Sequence, residues 1–270
     1  MNVAAKATAT ATLLLAATVP PAPPGLAPPA PWVEEDFSSY ASTTDLLTKR
    51  RGFYSVAEDE GTARIALDTT SGFGPSRRSM RFAFPDRSND LVNRCHDYTI
   101  GRNLDLPRAV REVWVEVYAR FSANFHTLAP SAWGCRSGAE YKFIFARTHG
   151  GSRFNLNIGT GGSAWTFGIP FDEQGDGGTP PKVVPGAAAV WDGLWHQYRV
   201  YFKVSSDRGV PDGAARFYLD GRLIKSFATV VINDTDIYGV ALGRNLNQGP
   251  EEPMSVWWGR IRIWERTPGW

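Results

Sequence analysis

From Trp32 onward the chain alternates apolar and polar residues with a period of two, and the pattern recurs with few interruptions. In Val110–Phe121 (VREVWVEVYARF), Val113, Val115, Val117, Ala119 and Phe121 share one face, while Trp114, Glu116, Tyr118 and Arg120 share the other. Side chains alternate across a strand but not along a helix, so such a segment reads as a strand half buried against a core. Glu140–Arg147 (EYKFIFAR) sets Tyr141, Phe143 and Phe145 against Lys142, Ile144 and Ala146. Arg153–Ile158 sets Phe154, Leu156 and Ile158 against Arg153, Asn155 and Asn157. Trp195–Val204 sets His196, Tyr198, Val200, Phe202 and Val204 against Trp195, Gln197, Arg199, Tyr201 and Lys203. Val256–Glu265 closes the chain, with Trp257, Ile261 and Ile263 opposite Trp258, Arg260, Arg262 and Trp264.

Asp220-Gly221, between Ala215–Leu219 and Arg222–Phe227, is the dipeptide that a two-residue hairpin favours. A sustained 3.6-residue period is absent; Leu46–Arg50 suits one helical turn, which Gly52 ends. One apolar face per strand implies antiparallel sheets, each packed on one side and wet on the other. Many such strands, joined by turns drawn from 27 Gly and 19 Pro, need a second sheet to cover the apolar face. The expected fold is an all-β, two-sheet antiparallel β-sandwich (jelly roll) in a single domain over residues 32–270.

The segment before it has a different composition. Residues 1–19 combine a short basic start at Lys6 with an uncharged, small and apolar run from Ala7 to Val19, the pattern of a secretory signal. That run is shorter than the about 20 residues a bilayer span requires. Residues 20–31 (PPAPPGLAPPAP) form a stiff Pro-rich linker. The expected location is therefore secreted, extracellular or periplasmic, with no membrane insertion of the mature domain. Cys95 and Cys135 are the only cysteines, and an exported chain makes a disulfide between them the expectation. Neither has a second ligand at zinc-site spacing, so no metal is assigned to them.

Charge narrows the partners. With 29 basic against 27 acidic side chains, net +2, nothing supports an electrostatic nucleic-acid binder. The 13% aromatic content, including 10 Trp, excludes a disordered chain. No cofactor is expected. Asp172–Gly178 (DEQGDGG) and Asn233–Asp236 (NDTD) offer oxygen ligands suited to calcium but lack EF-hand spacing. Gly159–Gly162 lacks a following helix, so it does not read as a phosphate loop.

Three pieces, Trp191–Lys203 (WDGLWHQYRVYFK), Phe217–Leu223 (FYLDGRL) and Gly259–Arg266 (GRIRIWER), together resemble the concanavalin A-like lectin/glucanase superfamily. Asp36–Tyr40 is similar to its opening strand and Ser79–Pro85 to its second. The resemblance covers most of residues 32–266 and implies a curved jelly roll that engages polysaccharide on a concave sheet, with the last strand pairing the first. Lectins, laminin-G-like modules, glycoside hydrolases and polysaccharide lyases belong to that superfamily.

Retaining glucanases need two carboxylates about 5–5.5 Å apart. The nearest match, Glu112–Glu116 (EVWVE), has Trp114 at the central acid and separates the two Glu by about 13 Å along an extended strand. A hydrolase is therefore not expected. A glycan-binding protein or a lyase cleaving uronate polymers by β-elimination fits the polar strand faces better. The expected glycan contacts are Arg120, Arg153, Asn155, Asn157, Gln197, Arg199 and Tyr201, and a lyase would add His149, Tyr118 and Lys142 as catalytic groups. His96 with Tyr98 is a second candidate pair, and His196 reads as a hydrogen-bonded core histidine.

Overall fold

The computed structural model describes residues 28–49, 53–58, 65–86, 98–127, 141–149, 153–158, 165–168, 182–183, 191–233, 235–243, 245–246 and 250–270. Its elements in chain order are β1 (Val33–Glu35), α1 (Thr43–Thr48), β2 (Phe53–Glu58), β3 (Ile65–Asp68) and β4 (Ser79–Phe84). They continue with β5 (Tyr98–Val110), β6 (Glu112–Phe121), β7 (Tyr141–Thr148), β8 (Arg153–Ile158), β9 (Trp165–Gly168) and β10 (Lys182–Val183). The last are β11 (Trp195–Lys203), β12 (Gly213–Leu219), β13 (Arg222–Val230), β14 (Ile237–Leu242), β15 (Asn245–Leu246) and β16 (Met254–Trp264).

All the pairings are antiparallel and fall into two sheets. The first runs β13-β12-β11-β6-β16-β4-β3; β1 pairs the second half of β16 after β4 has paired the first. The second runs β10-β9-β8-β7-β14-β5, with β15 and β2 both pairing β5. The fold is the expected all-β sandwich in one domain.

The inward faces form one core. Val113, Val115, Val117, Ala119 and Phe121 of β6 face it, as the alternation requires, together with Tyr198, Val200 and Phe202 of β11. Burying each such side chain contributes about 1.5–3 kcal/mol before entropy is counted. Between the sheets Phe143 stacks on Trp258 with ring centroids 4.7 Å apart, and Phe121 meets Tyr141 edge-on at 6.2 Å.

Two strands depart from strict alternation. β7 shifts register between Lys142 and Ile144 against β8, so Ile144 and Ala146 join the core beside Tyr141 and Phe143, and Phe145 does not. β16 shifts between Trp258 and Ile261 against β6, so Trp258 joins Ile261 and Ile263 in the core and Trp257 lies on the other face. A bulge adds one residue to one strand, which exchanges the faces beyond it.

Residues 36–40 are not the opening strand. Phe37 has φ 62°, a left-handed conformation that ends β1 at Glu35. Glu35 sustains that turn: one carboxylate oxygen accepts from the Phe37 backbone N–H at 2.5 Å, the other from the Tyr40 hydroxyl at 3.1 Å. The helical turn predicted near residue 46 is α1, capped by the Ser42 hydroxyl accepting from the Asp45 N–H at 3.1 Å. Asp220 (φ 49°) and Gly221 (φ 79°) make the hairpin turn between β12 and β13. Residues 1–19, most of the Pro-rich segment, Cys95, His96 and Cys135 lie outside the described residues, as do Asp172–Gly178. Among the described residues no helix is long and apolar enough to cross a membrane.

Candidate functional site

The outer face of the second sheet gathers titratable groups from three adjacent strands. β14 bulges against β7, stepping from Ile237 to Gly239 while β7 steps only from Thr148 to Arg147; against β5 the same step spans Val110 to Asp105. Tyr238 is the extra residue. It leaves the ladder and presents its ring to β7. The Arg147 guanidinium sits 4.6 Å from the Tyr238 ring centroid, and the His149 ring stacks against the same residue at 4.5 Å and 26°.

Each end of this stack is held by a carboxylate. His149 Nδ1 bonds Asp236 Oδ1 at 2.5 Å. A carboxylate only accepts, so Nδ1 carries a proton, and in the neutral imidazole Nε2 then holds the lone pair. Arg147 reaches Asp105 of β5 with a 3.8 Å N···O separation. It does so across Gly239, which pairs both Arg147 and Asp105 and has no side chain to block the way. A Cβ at Gly239 would lie 2.8 Å from the Leu104 carbonyl oxygen and 3.6 Å from Arg147. His149 is 59% exposed, so the imidazole is accessible to a ligand.

The same face carries Lys142, Asn155 and Asn157. Asn155 pairs Phe145, and Asn157 pairs Lys142. Lys142 lies five residues before Arg147, about 16 Å away along an extended strand, so it extends the face and does not adjoin His149. Arg153 pairs Arg147 in the backbone register.

The outer face of the first sheet is organised differently. Glu116 is buried there and accepts from Arg199 Nε at 2.9 Å and Gln197 Nε2 at 3.0 Å, with Arg262 at 3.5 Å. Gln197 also donates to the Tyr118 hydroxyl at 2.7 Å, and Phe73 stacks on Tyr118 at 4.1 Å. Trp114, Tyr201 and Trp264 form a second apolar cluster, against which Trp270 packs. Tyr201 donates to Glu112 at 2.6 Å; burial first and that carboxylate second push its hydroxyl pKa far up. Glu112 and Glu116 are thus each engaged in a structural bond. Beside this cluster a groove of about 490 Å³ is lined by Arg111, Glu112, Tyr201, Lys203 and Arg266, among others.

The residues singled out in the sequence therefore divide between two faces. His149, Lys142, Asn155 and Asn157 lie on the second sheet with Arg153. Tyr118, Arg120, Gln197, Arg199 and Tyr201 lie on the first. Tyr118 and His149 thus lie on different sheets. The sequence reading missed Arg147, Tyr238 and Asp105 as site residues. Arg147 carried a signal, since it stands two residues before His149, but Tyr238 depends on a bulge. Asp236, one of the oxygen donors of Asn233–Asp236, holds His149. His196 is hydrogen-bonded, to Asp220 at 2.7 Å and Asp192 at 3.1 Å, at the rim of the sandwich and not in its core. Among the described residues no group of three or more His, Cys, Asp or Glu is arranged to hold a metal ion.

No protein family and no curated protein matches the sequence. Solved structures do match the fold. An endo-β-1,4-glucuronan lyase from the fungus Trichoderma reesei is 13% identical with a TM-score of 0.57, over 87% of this chain and 95% of that one. An alginate lyase is 13% identical with a TM-score of 0.56, over 87% and 97%. A cellulose-induced protein is 15% identical with a TM-score of 0.56, again over 87% and 97%. The chain shares the jelly-roll β-sandwich fold of these solved structures.

Proposed function

We propose that this chain is a secreted protein that binds a uronate-containing polysaccharide on the outer face of its second sheet and cleaves it by β-elimination. The observation that carries the reading is the stack of Arg147, Tyr238 and His149, closed by Asp236.

β-Elimination at a uronate needs a cation against the carboxylate, a base for the C5 proton, and an acid for the leaving oxygen. Arg147 neutralises the carboxylate and so stabilises the charge that develops when C5 is deprotonated. His149, oriented by Asp236, takes the C5 proton at Nε2. The electron pair forms the C4–C5 double bond as the C4–O4 bond breaks, and the Tyr238 hydroxyl delivers a proton to O4. Asn155 and Lys142, both half-buried on the same face, serve flanking sugar units, whereas Asn157 is buried. The likeness to a glucuronan lyase and an alginate lyase supports this substrate class.

The product carries a conjugated, unsaturated uronate that absorbs in the ultraviolet. Incubation with alginate, glucuronan and heparin-like polymers is expected to raise absorbance on at least one of them. The rise is expected to fall at least about 100-fold in His149→Ala and Arg147→Ala. Binding retained with no absorbance rise on any polymer overturns the lyase and leaves a glycan-binding module.

A further inference from the structure

The first sheet carries its own row of aromatic and cationic side chains, on the face opposite the His149 stack. Trp195 of β11 pairs Arg120 of β6, Arg120 pairs Trp257 of β16, and Trp257 pairs Arg81 of β4. Four neighbouring strands at about 4.8 Å spacing make this row about 14 Å long. The Arg120 guanidinium lies 4.0 Å from the Trp257 ring centroid and 5.7 Å from that of Trp195, and Arg81 lies 5.6 Å from Trp257.

The row is held in place from beneath. Trp257 Nε1 donates to Asp68 at 2.7 Å, and Arg81 Nε donates to the Ser255 hydroxyl at 3.0 Å. Phe73 packs against Trp195 at 5.6 Å, over Gly259, where a Cβ would meet Phe73 at 2.5 Å. Trp195, Arg120 and Trp257 are half-buried and Arg81 is exposed. Burial works against the Arg120 charge, Asp68 supports it and Arg81 opposes it.

Two other cations of this face have carboxylates: Arg199 has Glu116, and Arg262 has Glu34 at 2.9 Å. Among the described residues Arg120 and Arg81 have none within 4.0 Å. Two guanidinium groups alternating with two indoles suit a ligand that alternates carboxylates with flat C–H faces. A pyranose ring buries its C–H face on an indole, and a carboxylate takes charge-assisted hydrogen bonds from a guanidinium. A neutral glycan would use only the indoles, and a simple polyanion only the guanidiniums.

We propose that Trp195, Arg120, Trp257 and Arg81 form a second, non-catalytic site for a polyuronate chain. It rests on the polysaccharide reading above and adds an anchoring surface that tethers polymer while the opposite sheet works on it.

Isothermal titration of the full chain with glucuronan and alginate tests it, with carboxyl-reduced polymer as control. The Arg81→Gln, Arg120→Gln double variant is expected to lose about tenfold in affinity for at least one polymer, the worth of one charge-assisted hydrogen bond. Trp257→Ala is expected to weaken binding similarly; if it misfolds by thermal unfolding, the charge variant carries the test alone. Arg147→Ala is expected to keep measurable polymer binding. Wild-type affinity in the Arg81/Arg120 variant, or loss of all binding in Arg147→Ala, overturns the second site while the absorbance assay still stands for the first. No binding of any polymer by the wild-type chain removes both.

Discussion

Arg147 stacks 4.6 Å over Tyr238, and this contact exists because Tyr238 is one residue too many for its strand. Ile237 and Val240 both face the core although they are three residues apart, which strict alternation forbids; the extra residue lets Tyr238 and Gly239 both lie off the core side. A register irregularity therefore assembles the site.

The Asp236 carboxylate fixes the tautomer and orientation of His149. Asp236→Asn is expected to lower the rate of unsaturated product formation about 10–1000-fold, because an amide can donate to Nδ1 and leave the wrong nitrogen basic. The melting temperature is expected to move little, since His149 is exposed. An unchanged rate, measured by absorbance, removes His149 from the base role.

Gly239 is needed for space. In Gly239→Ala the new Cβ meets the Leu104 carbonyl, which is backbone and cannot swing away. The expected cost is about 1–3 kcal/mol, from overpacking and a displaced Arg147. Denaturant unfolding and the absorbance assay are both expected to show loss; a stable, fully active variant would contradict the tight crossing.

Glu116 is buried among Arg199, Gln197 and Arg262. Removing one partner of a buried charge leaves it poorly compensated. Arg199→Ala is therefore expected to cost about 2 kcal/mol, below the usual range for a broken buried pair because two donors remain. Glu116→Gln in the Arg199→Ala background is expected to recover part of that loss, which chemical denaturation of the four-member cycle would measure.

His196 makes stability depend on pH. Burial lowers its pKa, but the hydrogen bonds and charges of Asp220 and Asp192 outweigh burial and raise it above the ordinary value. The folded state thus binds this proton more tightly than the unfolded chain. The stabilisation is full below about pH 6.5 and is lost as pH rises through the folded value. Denaturation midpoints are expected to fall over that interval in the wild type and to flatten in His196→Gln. Equal slopes in both would dissociate the effect from His196.

Much of the fold was legible because period-two alternation has one structural meaning. Val113, Val115, Val117, Ala119 and Phe121 point inward as read, and Asp220-Gly221 turns as read, since each depends on neighbours along the chain. The faces of Phe145 and Trp257 were misread for one reason: a bulge adds a residue without leaving a mark in an alternating pattern. His149 stood out as a lone imidazole in a Gly-rich turn. Its partner Asp236 is 87 residues away, a distance no local signal spans.

The alternation alone determined that the chain must be a two-sheet sandwich, because strands with one apolar face can bury it only against another such face. It also determined which polar side chains stay outside. Which outside they occupy was decided by strand order, since β6 and β11 are neighbours in one sheet and β7 and β8 in the other. Tyr118 and His149, equivalent to the eye in the sequence, lie on opposite faces because long-range pairing, not local pattern, assigns a strand to its sheet.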